Sequence, residues 1–144
     1  MSEYAQPCYS DVSIGTSLGE LVVDIGRVDL IRYAGASLDF NPIHWSDQAA
    51  AQAGLPDVIA HGMLTMALAA RLITRWAGDP GAVRAYSVRF SAVVPVPVDR
   101  TTPVVTSGKV AEKLEECHVA IALTVTCDGR EVLKNATALV RLPR

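Results

Sequence analysis

The stretch from Gly62 to Gly81, GMLTMALAARLITRWAGDPG, decides the fold. Gly62 to Trp76 is apolar or small around most of its circumference. It predicts the longest helix of the chain, one that must be covered nearly all round. Gly78-Asp79-Pro80-Gly81 stops that helix abruptly, since glycine takes a left-handed cap and proline cannot continue the hydrogen bonding. The period then changes. Val83 to Val94, Val104 to Lys113, Cys117 to Thr126 and Glu131 to Leu142 predict four long strands, separated by Pro/Asp, charged and Asp128-Gly129 turn signals. In the third of these, Val119, Ile121, Leu123 and Val125 alternate with His118, Ala120, Ala122 and Thr124, so one face is the more apolar. Asp128-Gly129 signals a tight hairpin. His118, on the less apolar face, reads as structural or exposed.

Upstream of the long helix the signals are shorter. Residues up to about Ser17 predict an irregular lead-in, and Glu20 to Gly26 a first strand. Asp29 predicts an N-cap for a short helix in which Leu30, Ile31, Tyr33 and Ala34 share a face. Ser46 predicts the cap of another, Asp47 to Ala53, stopped by Gly54, and Leu55 to Ala60 with Pro56 reads as a connector. One strand, a long helix and a run of antiparallel strands give an α+β layer architecture, with residues 1–144 as a single domain. The composition agrees: 144 residues, 50% hydrophobic and 19% charged, fit one compact soluble unit.

Charge and cysteine usage exclude several function classes. A net charge of −2 supplies no concentrated basic face for nucleic acid. Arg71, Arg75, Arg84 and Arg89 are spread over helix and strand. They read as surface residues, with one or two as candidates for the phosphates of a carrier or coenzyme. Cys8, Cys117 and Cys127 form no ligand spacing and leave an odd number, which argues against a disulfide scaffold. The first residues lack a basic start followed by an apolar run, and Met63 to Ala70 is far short of a membrane span. Both facts fit a cytoplasmic protein.

The chemistry-bearing residues crowd into Tyr33 to Ala50, YAGASLDFNPIHWSDQAA. Asn41-Pro42 breaks regular structure, and Asp39 and His44 flank the break, so a shaped turn could aim a carboxylate and an imidazole into one small volume. Such a pair can pass protons near neutral pH. Each residue also has an ordinary reading, because Asp and Asn are common in turns for their side-chain bonds to nearby backbone. Tyr33 can pack its ring while its hydroxyl reaches a polar site. Ala60-His61-Gly62 leads into the long helix. His61 reads first as a capping or core histidine. The Gly62 N–H either merely starts a buried helix or, with no Cβ in the way, presents the positive helix end to an oxyanion.

Asp39-x-Asn41-Pro42-x-His44 with His61-Gly62-Met63 resembles the signature of the MaoC-like (R)-specific enoyl-thioester hydratases and dehydratases. The likeness continues through Gly78-Asp79-Pro80-Gly81-Ala82-Val83, Val88-Arg89-Phe90 and Val93-Val94-Pro95-Val96-Pro97, covering nearly the whole chain. Within that family the chain resembles the B-subunit type of actinobacterial (3R)-hydroxyacyl-ACP dehydratases. Two positions depart from the pattern. Leu38 stands where the family usually has glycine, which argues against glycine-only torsions there. Ala70 stands where some members carry a serine that supports the acid, so support for Asp39 must come from Asn41, a backbone N–H or water.

The resemblance implies a hot-dog fold, an antiparallel sheet wrapped around a long central helix. It also implies reversible dehydration of (3R)-hydroxyacyl-ACP or -CoA thioesters to trans-2-enoyl thioesters. His44 would serve the water or hydroxyl at the β-carbon, Asp39 the α-carbon proton and the Gly62 N–H the enolate oxygen, with Asn41, Tyr33 and His61 in support. The residues alone leave the reverse assignment of His44 and Asp39 open. No metal or redox cofactor is required, and Asp39, His44 and His61 lack a compact recognised metal-ligand spacing. The family implies a homodimer, or a heterodimer with a related subunit that lacks the Asp/His pair. The competing expectations are a non-catalytic acyl-thioester-binding scaffold subunit and a thioesterase on the same type of fold.

Overall fold

The protein is described by a computed structural model over residues 6–144, so the first five residues of the expected lead-in lie outside the described residues. Along the chain, β1 (Ser17–Ile25) leads into α1 (Arg27–Ser37), a 3-10 turn at Pro42–His44, α2 (Asp47–Gln52) and the long α3 (Gly62–Ala77). Then come β2 (Val83–Phe90), β3 (Thr102–Lys113), β4 (His118–Cys127) and β5 (Arg130–Arg141). The strands form one sheet in the order β1-β3-β4-β5-β2, and every neighbouring pair is antiparallel.

The sheet buries one face against α3. In β4, Val119, Ile121, Leu123, Val125 and Cys127 are buried while the residues between them are not, as the alternation predicts. Facing them, α3 buries Thr65, Ala69, Leu72, Ile73 and Ala77, spaced to form one stripe along the helix. The hairpin between β4 and β5 turns through Asp128 (φ 49°) and Gly129 (φ 72°), both left-handed as a type I′ turn requires. Tyr86 ties edge strand β2 to α3 by donating its hydroxyl to the Met66 carbonyl at 3.0 Å. Burial pushes that phenol up to about 12.

Four expectations need correction. Asp29 is not the N-cap of α1. Gly26 occupies that position, and Asp29, three residues on, accepts the Gly26 N–H at 2.8 Å. The strand expected to run to Val94 ends at Phe90. Beyond it, Val94 and Val96 exchange backbone bonds with Ala60 and Val58 (2.8 and 2.7 Å) around an Ile59–Pro95 bridge. The supposed connector is therefore one side of a short ribbon, and Pro95 and Pro97 mark where the chain has left the sheet. Third, α3 is covered on one face only within a single chain. Met63, Ala67 and Arg71 are exposed, and α1 and α3 leave an open cleft of about 370 Å³ beside Leu64 and Leu68. Fourth, Leu38 does adopt the left-handed conformation (φ 62°, ψ 18°) as the C-cap of α1, its N–H bonded to the Ala34 carbonyl at 2.9 Å. The helix must reverse there to present Asp39, and leucine accepts a cost of roughly 1–2 kcal/mol.

Candidate active site

Asp39 is placed by a relay of short-range bonds. Ser37 Oγ accepts the Asp39 N–H (3.2 Å), Asp39 Oδ1 accepts the Asn41 N–H (3.1 Å), and Asn41 Oδ1 accepts the Ile43 N–H (3.3 Å). Each side chain bonds the backbone two residues ahead, which is why this run of Ser, Asp and Asn makes a rigid turn instead of a helix. Pro42 opens the following 3-10 turn, whose last residue is His44. Trp45 Nε1–H closes the loop by donating to the Phe40 carbonyl at 3.0 Å. Support for Asp39 thus comes from the Asn41 backbone N–H, one of the alternatives open at the sequence level, and Ala70 needs no serine for it.

His44 is buried, and its Nδ1 lies 2.7 Å from the Ile59 carbonyl. A carbonyl only accepts, so Nδ1 carries the hydrogen and Nε2 keeps its lone pair. Nε2 lies 3.9 Å from Asp39 Oδ2, whose side chain is 52% exposed. At that separation they share no direct hydrogen bond, and they can serve as two separate carriers.

His61, the residue before α3, is 1% exposed. Its Nε2 lies 3.1 Å from the Asp39 carbonyl, so Nε2 donates and the buried Nδ1 is a bare acceptor, without a partner among the described residues. Burial lowers its pKa most. The bond to the Asp39 carbonyl raises it, proximity to His44 lowers it, and the Asp39 charge raises it, for a net lowering. His61 therefore reads as a neutral strut, stacked on His44 (ring centroids 3.8 Å, planes 23° apart) and touched by the Tyr33 ring at 4.8 Å. Tyr33 reaches the site through its ring, with its hydroxyl unbonded among the described residues.

Donor atoms of Asp39, His44 and His61 lie within 4.8 Å of one another. The set still does not suit a metal ion. Nitrogen lone pairs lie in the ring plane, and two nearly parallel stacked rings do not aim theirs at one point about 2 Å from both.

Gly62 begins α3, so its N–H precedes the first intrahelical bond and sits at the positive end of the helix. It lines an apolar pocket of about 320 Å³ together with His44, Thr65, Phe90, Val94 and Leu133. A Cβ at position 62 would come within 3.1 Å of the Phe90 ring, so with glycine there the backbone stays open at this wall without displacing that ring. Asp39 is not part of the wall and stands beside it, across from His44.

Sequence reasoning brought Asp39, His44, Gly62, Asn41, Tyr33 and His61 to one place, and the structure does the same. It missed Ile59, whose carbonyl fixes the His44 tautomer, because a backbone acceptor carries no side-chain signature. Arg71, Arg75, Arg84 and Arg89 are all exposed. Cys8, Cys117 and Cys127 are free thiols, and no helix among the described residues is long and apolar enough to cross a membrane.

Comparison with known proteins gives a consistent result. The family model described as "MaoC like domain" matches residues 10–128. An "(R)-specific enoyl-CoA hydratase" of Rhodospirillum rubrum is 34% identical over 135 residues, 92% of this chain and 90% of its own length. A "3-hydroxyacyl-thioester dehydratase X" of Mycobacterium tuberculosis is 47% identical over 76 residues, 53% of this chain and 26% of that protein. Among solved structures, a "MaoC-like dehydratase" superposes with a TM-score of 0.92 at 40% identity, over 95% of this chain and 42% of that one. The match therefore spans nearly all of the first, about a quarter of the second and less than half of the third. With a matching family model over most of its length and the five-stranded sheet and long helix of the hot-dog fold, the chain belongs to the MaoC-like family.

Proposed function

We propose that this protein is a hydro-lyase that interconverts (3R)-hydroxyacyl and trans-2-enoyl thioesters. One observation carries the reading. A carboxylate and an imidazole Nε2 face each other at 3.9 Å, beside the positive end of a helix that opens on an apolar pocket. Hydration needs two proton carriers and a donor for the enolate oxygen, and these supply all three.

In the hydration direction His44 Nε2 takes a proton from water as its oxygen bonds to the β-carbon. The electrons of the double bond move into the thioester oxygen, where the Gly62 N–H holds the developing charge. The proton held by His44 then passes through water in the gap between them to the Asp39 carboxylate, and Asp39 delivers it to the α-carbon, which restores the starting state. Dehydration is the same path reversed. The tautomer set by Ile59 favours this assignment of roles, because it leaves Nε2 as the acceptor facing the site.

The walls suit an acyl chain, with Ile59, Val93, Val94, Val132 and Leu133 around the 320 Å³ pocket. ACP or CoA carries the acyl chain, and the protein acts in the cytoplasm as one domain paired with a second hot-dog subunit. This chain bears the Asp/His pair, so in a mixed pair it would be the catalytic half. Purified chain incubated with crotonyl-CoA tests the reading. Loss of the enoyl absorbance with formation of the (R)-3-hydroxy product and no free thiol is expected. Thiol release would indicate a thioesterase, and no turnover with or without a sister subunit would indicate a scaffold.

A further inference from the structure

Arg27, the first residue of α1, is outside the pocket yet reaches three separate segments. Its Nη2 donates to Asp47 Oδ1 at 2.7 Å, at the start of α2, and to Asp57 Oδ1 at 2.6 Å, and its Nε donates to the Val96 carbonyl. Its side chain is 19% exposed, against 28% for Asp57 and 74% for Asp47. Burial alone would lower its pKa. The hydrogen bonds and charges of the two aspartates more than offset that, so the guanidinium stays charged.

These contacts close the end of the ribbon that carries Ile59. Asp57 lies on one side of the ribbon and Val96 on the other. Asp57 Oδ1 also accepts the Val58 N–H (2.7 Å), and the next rung joins the Val58 carbonyl to the Val96 N–H (2.7 Å). One residue further, the Ile59 N–H bonds the Ile43 carbonyl (3.2 Å), and the Ile59 carbonyl takes the His44 Nδ1–H (2.7 Å). The orientation of the carbonyl that selects the His44 tautomer is thus set by a ribbon whose two sides are bracketed by one planar fork. A lysine cannot reproduce that geometry, because its ammonium is a point charge on a flexible stem.

We infer that Arg27 is a positioning residue for His44, acting through Asp57 and the 57–60/94–96 ribbon to hold the Ile59 carbonyl on Nδ1. The assignment rests on the proposed role of His44, and it predicts effects on turnover without effects on substrate binding. A displacement of about 1 Å at a reacting group costs on the order of a hundredfold in rate. Arg27→Met is therefore expected to lower kcat about ten- to a hundredfold with KM within about twofold. Arg27→Lys should recover only part of that loss.

The test joins kinetics on crotonyl-CoA to the ring ¹H–¹⁵N signals of His44 in the full-length chain. Tyr86→Phe, which removes one bond between β2 and α3, serves as a comparator for lost stability. The wild-type chain should give a single Nδ1–H tautomer, and Arg27→Met should give a mixture of tautomers with the fall in kcat. Asp57→Asn keeps an acceptor for Val58 but loses the charged partner of Arg27. It should show the same pattern at about threefold, and it decides the matter if Arg27→Met does not fold. An unchanged tautomer in these variants, or a kcat that only follows melting temperature as in Tyr86→Phe, overturns the inference. The tautomer readout needs no turnover, so failure of the wild-type chain to hydrate any enoyl thioester would sink the functional reading separately.

Discussion

Gly62→Ala separates the two reasons a glycine can stand at the start of α3. A Cβ there would meet Phe90 Cε1 at 3.1 Å, Cδ1 at 3.2 Å and Cζ at 3.4 Å, a few tenths of an ångström too close. Phe90 is 51% exposed on the edge strand β2, so its ring can swing aside at small cost. Alanine also has the better helix propensity, by up to about 1 kcal/mol in a helix interior and less in the first turn. The two effects nearly cancel, and the expected change in stability is within about 1 kcal/mol, or a melting shift of roughly 2–4 °C in either direction. Activity should respond very differently, because the new methyl group and the displaced ring occupy the space in front of the N–H. Loss of one oxyanion donor costs about 10²–10³-fold in turnover. Thermal melting and kcat/KM on crotonyl-CoA, measured on one preparation, check both halves. A variant that melts normally and keeps kcat/KM within about threefold would refute the assignment of the Gly62 N–H to the thioester oxygen.

Other consequences follow from the same geometry. His61 has a lowered pKa in the folded state, so the unfolded chain binds its proton more readily. The stability this neutral ring contributes is complete above the unfolded value of about 6.5 and declines as pH falls from there through the lower folded value. His61→Gln should flatten that part of a melting-temperature profile across pH, and an unchanged slope would contradict the burial argument. Leu38→Gly should relieve about 1–2 kcal/mol of left-handed strain while adding roughly 0.5–1 kcal/mol of unfolded-state entropy. A net gain between about 0 and 1.5 kcal/mol is expected in denaturant titration, and a clear loss of stability would show that the Leu38 side chain contributes packing that its 76% exposure hides.

Periodicity made the sheet and the long helix legible, since β4 and α3 each have one buried stripe and their spacing is written in the side chains. Ser46 capped α2 as its chemistry demands, accepting the Ala49 N–H at 3.2 Å. What stayed hidden depends on contacts remote in sequence. The 58–60 segment reads as a connector because Pro56 interrupts it. Its pairing with 94–96 is set by tertiary approach, and the same pairing explains why β2 ends before Val94. Leu38 shows the opposite failure, where local propensity was overruled by the need to reverse the chain ahead of Asp39. For the candidate site, the spacing of Asp39, Asn41 and Pro42 encodes a turn shaped by local side-chain bonds, so the sequence could place it, whereas the bonds from Ile59 and His61 that hold it are remote in sequence. Arg27 binds partners 20, 30 and 69 residues away, and nothing nearby in the chain marks it.

The central claim is that Asp39 and His44 are two separate proton carriers for one thioester. It is tested most directly by the steady-state hydration of crotonyl-CoA by Asp39→Asn and His44→Ala beside the unaltered chain. Each substitution should lower kcat by about 10²–10⁴-fold while KM changes little, since neither residue is needed to hold the acyl chain. Near-normal turnover by both folded variants would contradict the account.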